Sequence, residues 1–155
     1  MNLSSAYSKL DGLLVTLGGW LQPVLLLLVR GWWGWSFFLT GKGKLTHLDK
    51  TVAFFADLNI PLPKLNAMLA GSTECLGGLL LLLGLGSRLA SMPLIFTMLV
   101  AYATADQEAL HAVFSDTDKF TGATPFLFLL ACLIVFAFGP GKFSLDALLM
   151  RKSKK

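Results

Sequence analysis

Two charges stand inside apolar stretches of this 155-residue chain: Arg30 in Leu25–Trp35 and Glu74 in Met68–Leu83. At the centre of a bilayer an arginine costs about 2.5–3.5 kcal/mol on insertion scales, so such residues face the protein interior and find partners. A guanidinium can donate hydrogen bonds to a carbonyl, and a carboxylate can orient it or exchange a proton. Tyr102 and Asp106 stand near the end of a third apolar stretch, and Trp33 lies close to Arg30. These five residues are the candidate site for a quinone or another polar head group. A buried Arg–Glu pair also has a purely structural reading, in which it fixes which helices pack together. A third reading is proton or ion movement. No chain of carboxylates crosses the full thickness, which speaks against a relay.

The elements that would position these residues are membrane helices. Hydrophobic residues make up 55% of the chain and charged residues only 14%, against roughly 25% in a soluble domain. Mean hydropathy is +0.69. A soluble chain of this length has no core large enough to hide so much apolar surface, whereas lipid is itself the apolar solvent. The pattern predicts an all-α integral membrane four-helix bundle in one domain, with spans at about 20–39, 65–85, 89–105 and 122–138. Apolar character begins earlier, near Leu13, and a bend is expected at Pro23. Leu45, Leu48, Val52, Phe55 and Leu58 recur at spacings of three and four. They predict a short amphipathic helix in the first loop, lying on the membrane surface or capping the bundle.

Counting from the shared turn, Arg30 lies nine residues before the end of span one. Glu74 lies nine residues after the start of span two. Both are then about 14 Å deep at 1.5 Å per residue, and a direct Arg30–Glu74 ion pair is expected. Gly34 shares the face of Arg30, and Gly71 and Gly78 share that of Glu74, where small residues let backbones approach. Tyr102, Asp106 and Arg30 are expected to line one cleft opening outward.

The net charge is +4, but the basic residues form no patch interleaved with stacking aromatics, so nucleic acid is not the expected partner. Arg151, Lys152, Lys154 and Lys155 form a basic tail at 151–155. With four crossings, one side would carry Lys9, Arg88, Lys142 and this tail. The other would carry Lys42, Lys44, Lys50, Lys64 and Lys119. That imbalance favours both termini in the cytoplasm. Cys75 and Cys132 stand 57 positions apart and read as small hydrophobes in packed helices, with a redox pair as the alternative. His47 and His111 read as solvated loop residues, and no metal site is expected.

Three sequence elements carry a family resemblance. The first is Arg30, Gly34, Gly41 and Lys44. The second is Glu74-Cys75-Leu76-Gly77-Gly78, a leucine run, then Gly84-Leu85-Gly86-Ser87-Arg88. The third is Gly139-Pro140-Gly141-Lys142-Phe143-Ser144-Leu145-Asp146. From about Leu26 to Leu148 the chain resembles the DoxX family of small bacterial membrane proteins. The resemblance implies a multi-pass protein of the bacterial inner membrane, with relatives in quinone-linked thiosulfate oxidation and in oxidative-stress or thiol-linked complexes. It marks Arg30, Glu74 and Arg88 as recurring charged positions, Arg88 with a structural role. It does not extend to thiol chemistry, because a paired cysteine motif is missing. The function expected is therefore a quinone-interacting subunit or accessory protein of a membrane redox complex. No cofactor is bound covalently, and lipid, a quinone and a redox protein are the expected partners. At most the chain is the membrane subunit of a quinone-linked oxidoreductase, with self-association left open. The alternative is a non-enzymatic scaffold or assembly protein whose buried pair is structural.

Overall fold

A computed structural model describes residues 3–152, and the side chains of 7–151. Every element among them is a helix: α1 (Leu3–Thr46), α2 (Leu48–Asp57), α3 (Pro63–Leu83), α4 (Ser87–Thr104), α5 (Gln107–His111), α6 (Thr117–Gly122), α7 (Thr124–Phe138) and α8 (Leu145–Lys152). The breaks fall where the sequence interrupts the helical backbone. Pro63 opens α3 at a first-turn position that lacks an intrahelical partner for its nitrogen in any case. Gly84 and Gly86 take positive φ, +70° and +55°, and turn α3 back into α4. Gly139 at +78° ends α7.

α1, α3, α4 and α7 pack in a ring in which α1 also meets α7. The core takes side chains from all four: Phe37, Leu81, Leu94, Met98, Cys132 and Val135. Phe128 of α7 meets the rings of both Phe37 and Trp33 edge-on, with centroids 4.6 and 4.9 Å apart. The outside of the ring is apolar as well: Leu76, Leu89, Phe96 and Phe138 are all exposed. Apolar on the inside and the outside is the pattern of a bundle solvated by lipid. α2 lies along α1 and α3, with Leu48, Val52, Phe55 and Leu58 half-buried. The predicted stripe therefore faces the bundle.

Among the described residues, three helices are long and apolar enough to cross a membrane: α1, α3 and α4. α7 has 15 residues, about 22 Å at 1.5 Å per residue, less than a hydrocarbon core of about 30 Å. The first expected span needs correction. α1 does not stop at Leu39 but runs on to Thr46, and it continues through Pro23.

Glycines decide how α1 and α3 meet. A Cβ on Gly34 would lie 2.7 Å from the Leu82 nitrogen and 2.9 Å from the Gly78 oxygen. One on Gly78 would lie 2.5 Å from the Phe38 nitrogen and 2.7 Å from the Gly34 oxygen. Gly41 meets Gly71 and Cys75 in the same way. Backbone rests on backbone, and the two glycine pairs fix the antiparallel register. Gly34 lies against Gly78, so the end of α3 at Leu83 lies near position 29 of α1. The bundled part of α1 thus begins after Trp20.

Gly78→Ala puts a methyl against backbone atoms that have no room to rotate away. A loss of about 1–3 kcal/mol is expected, read as a lower thermal midpoint in detergent. Gly31→Ala, with nothing within 4 Å, should leave that midpoint unchanged or slightly higher, because alanine is the better helix former.

Candidate functional site

The glycine register separates the two charges that sequence counting had paired. Moving four residues back along α1, from Gly34 to Arg30, moves the partner four residues forward on α3, from Gly78 to Leu82. Leu82 is eight residues, about 12 Å, from Glu74. The direct Arg30–Glu74 pair is therefore not formed, and each charge has its own partner.

Glu74 is 1% exposed and its Oε1 accepts from Lys44 Nζ. Lys44 begins nearer the end of α1, but a helical side chain leans toward the N-terminus of its helix. That lean carries the ammonium back to the level of Gly41, beside Cys75 and Gly71. The other carboxylate oxygen of Glu74 is buried without a hydrogen-bond partner among the described residues. The Lys44 side chain is 31% exposed, so the pair is closed at the carboxylate and open at the ammonium. Sequence counting missed Lys44 because it ended the first span at Leu39. The seven-residue spacing of Gly34–Gly41 and Gly71–Gly78 is the signal that gives the register.

Arg30, also 1% exposed, lies at the α3–α4 turn. Its Nη2 donates to the Phe143 carbonyl, and Asp146 supplies an opposite charge acting on it without a direct ion pair. Gly84 passes so close that any Cβ there would overlap the guanidinium and sit 2.6 Å from Ser144 Cβ. Nε and Nη1 of Arg30 are buried without partners among the described residues. Asp146 closes the same corner. Its Oδ1 accepts from Gly86 N at 2.8 Å and its Oδ2 from Ser87 N at 3.3 Å, capping α4 from a distant part of the chain. Its own nitrogen donates to the Gly84 carbonyl at 3.0 Å. Ser144 Oγ accepts from Ala147 N at 3.1 Å and starts α8. Arg88 donates from Nε to the Phe136 carbonyl at 3.1 Å and from Nη2 to that of Ala137 at 3.2 Å. These are orphan acceptors in the last turn of α7. One corner thus gathers Arg30, the Gly84–Arg88 turn and the Gly139–Asp146 segment, three distant pieces of sequence.

The expected outward cleft of Arg30, Tyr102 and Asp106 is not assembled. Tyr102 is buried fifteen residues along α4 from Ser87, about 22 Å away. Its hydroxyl donates to the Phe120 carbonyl at 2.8 Å, and its ring stacks on that of Phe120 with centroids 5.1 Å apart. Asp106 is partly exposed at the start of α5 and makes no side-chain cap there. Trp33 packs on Phe128. Cys132 is buried in the core and Cys75 half-buried on α3, both as free thiols.

The DoxX family model matches residues 25–107. The chain belongs to the DoxX family. It is 31% identical over 131 residues to inner membrane protein YphA of Escherichia coli, covering 81% of this chain and 90% of that one. It is 30% identical over 138 residues to uncharacterized membrane protein Rv3486 of Mycobacterium tuberculosis, covering 84% and 85% respectively. No solved structure matches. This DoxX protein is thus a helical membrane protein with a closed corner around Arg30 and a half-open ion pair at Lys44–Glu74.

Two outcomes are expected. Asp146→Ala frees two helix-start N–H groups, and a loss of about 0.5–2 kcal/mol should appear as a lower thermal midpoint, restored only in part by Asp146→Asn, whose amide nitrogen cannot accept the second N–H. The second concerns the loop outside the spans. There Lys119 Nζ donates to Glu108 Oε2 at 2.8 Å, holding the Glu108 carboxyl below its ordinary 4.5 and the Lys119 ammonium above its ordinary 10.5. A depressed carboxyl contributes stability above its unfolded value, lost as pH falls through the folded value; a raised lysine loses its contribution as pH rises through its own. The bridge therefore persists between those limits, and Lys119→Met should raise the Glu108 midpoint in a carbon-13 titration.

Proposed function

We propose that this chain is a quinone-interacting accessory subunit of a redox complex in a bacterial inner membrane, with the quinone head group held at the Lys44–Glu74 pair. One observation supports this above the others: Glu74 is buried yet has an oxygen without a partner among the described residues, while the lysine joined to it is reachable from outside. The ammonium has further N–H groups to offer a quinone carbonyl. Reduction of a quinone to a quinol takes up two electrons and two protons. A partner protein supplies the two electrons; the Lys44 ammonium gives each of the two protons in turn and regains it from the water that reaches its exposed side chain, while Glu74 holds the ammonium in place. The Escherichia coli relative's name as an inner membrane protein supports the location. In this reading α7 makes the fourth crossing, helped by α6 directly before it, and both termini face the cytoplasm.

A second reading, a membrane scaffold without its own ligand, draws on Arg30. That residue spends its charge on bracing the Phe143 carbonyl, a role internal to the chain.

Titration of the purified full-length protein with a short-chain quinone tests the first reading. Hydrogen bonds to charged groups contribute about 1.5–3 kcal/mol, so Lys44→Gln should weaken binding at least about tenfold when measured well below its thermal midpoint, which falls because Glu74 loses its cation. Equal affinity in Lys44→Gln and wild type, or no binding by wild type, would leave the scaffold reading. The scaffold reading requires Lys44→Gln/Glu74→Gln to retain every associated protein in pull-down.

A further inference from the structure

α1 is about twice as long as a membrane crossing requires. Its 44 residues measure about 66 Å against a hydrocarbon core of about 30 Å. The bundle meets it only from Pro23 onward, where a Cβ on Gly141 would lie 3.3 Å from Leu26 Cβ and 3.8 Å from Pro23 Cα. Before that point Gly12, Gly18 and Gly19 have nothing within 4 Å. The segment Tyr7–Gln22 leaves the bundle with Tyr7, Leu10, Leu13, Leu14, Leu17, Trp20 and Leu21 exposed, Trp20 at 78%.

These residues are not scattered. Leu10, Leu14, Leu17, Leu21, Leu25, Leu28, Trp32, Trp35 and Leu39 follow one another at spacings of four and three, and all are exposed. They form one unbroken stripe along a single helix face. Over Leu25–Leu39 this stripe is the lipid-facing side of the bundle. Over Tyr7–Gln22 it continues beyond the bundle; the opposite face carries Ser8, Gly12, Val15, Thr16 and Gly19, with Lys9, Asp11 and Gln22 on the flanks.

We propose that Tyr7–Gln22 bends outward at Pro23 and lies along the bilayer surface as an interfacial helix. The direction of the bend follows from where the proline sits. Pro23 is buried on the face turned toward Gly141, opposite the stripe. It has no N–H for the Gly19 carbonyl, and its ring crowds that carbonyl. The helix opens on the proline side and bends away from it, and the Gly18-Gly19 pair just ahead lowers the resistance. A bend toward the lipid side brings the stripe to the inside of the angle. The face that met acyl chains along the span then meets the membrane surface along the arm. Trp20 sits at the bend, at the depth where indole rings anchor.

The occupant is the lipid surface itself and not an acidic or basic partner. Lys9 and Asp11 cancel, and the rest of the polar face is uncharged. Attachment then comes from apolar insertion, about 5–10 Å deep, and not from attraction to anionic head groups.

The test uses the full-length protein in phosphatidylcholine vesicles, with the fluorescence of Trp20 isolated as the difference between wild type and Trp20→Phe. Bromines placed near the head-group end of the lipid chains should quench this signal at least about twofold more than bromines near the chain terminus, as a 5–10 Å depth requires. Low and high salt should give the same result. A second probe, Leu14→Trp in Trp20→Phe, should report the same shallow depth. A water-exposed, unquenched Trp20 would overturn the proposal, as would stronger quenching from deep bromines. A blue-shifted signal that no bromine quenches and that varies with protein-to-lipid ratio would do so too, by pointing to a second copy of the chain.

Discussion

The approach of α1 to α3 on bare backbone is the constraint from which the rest of the arrangement follows. Gly34 against Gly78 and Gly41 against Gly71 leave no freedom to slide, because a shift by a few residues would set side chains where only hydrogen atoms fit. In lipid, where burial of apolar surface gives no net drive between helices, close van der Waals packing of this kind is a main source of association. The same register sets the depth of every other group on these two helices. It puts Glu74 within reach of Lys44 and sends Arg30 to the α3–α4 turn.

The two buried charges therefore do different work. Arg30 is tied to a carbonyl of the chain's last loop, beside the glycine that turns α3 into α4. It braces a corner in which Asp146 caps α4 and Arg88 holds the last carbonyls of α7. A charge is well placed there because helix ends and tight turns expose backbone acceptors that lipid cannot satisfy. Glu74 sits mid-helix, where the backbone offers no spare donor. It depends on a side chain reaching in from α1, and half of its carboxylate has no partner among the described residues. Of the two, the half-open pair is the better placed to meet a ligand.

The helical membrane class, the amphipathic α2 and the ends of α3 and α4 were legible in the residues. Apolar runs, a three-and-four stripe, prolines and paired glycines each act locally. The three sequence elements of the DoxX resemblance were legible too, but not their relation in space. Arg30 is 113 residues from Phe143 in sequence, and no local rule brings those positions together. The end of α1 was misread for a related reason. Gly41, Lys42 and Lys44 look like the start of a loop, yet Gly41 is buried because α3 needs it against Gly71. Packing there overrides the weak helix propensity of glycine.

By itself the sequence determined that the chain enters a membrane, which segments are helical, and that an arginine and a glutamate must be shielded from lipid. These follow from hydropathy, periodicity and the cost of moving a charge out of water, all carried by single segments. Only the tertiary structure decided which partner shields each charge. That choice depends on the register between two helices, and a slip of eight residues, about 12 Å, separates a pair from two independent sites. The register is set by the shape of facing backbones, a property that neither helix possesses alone.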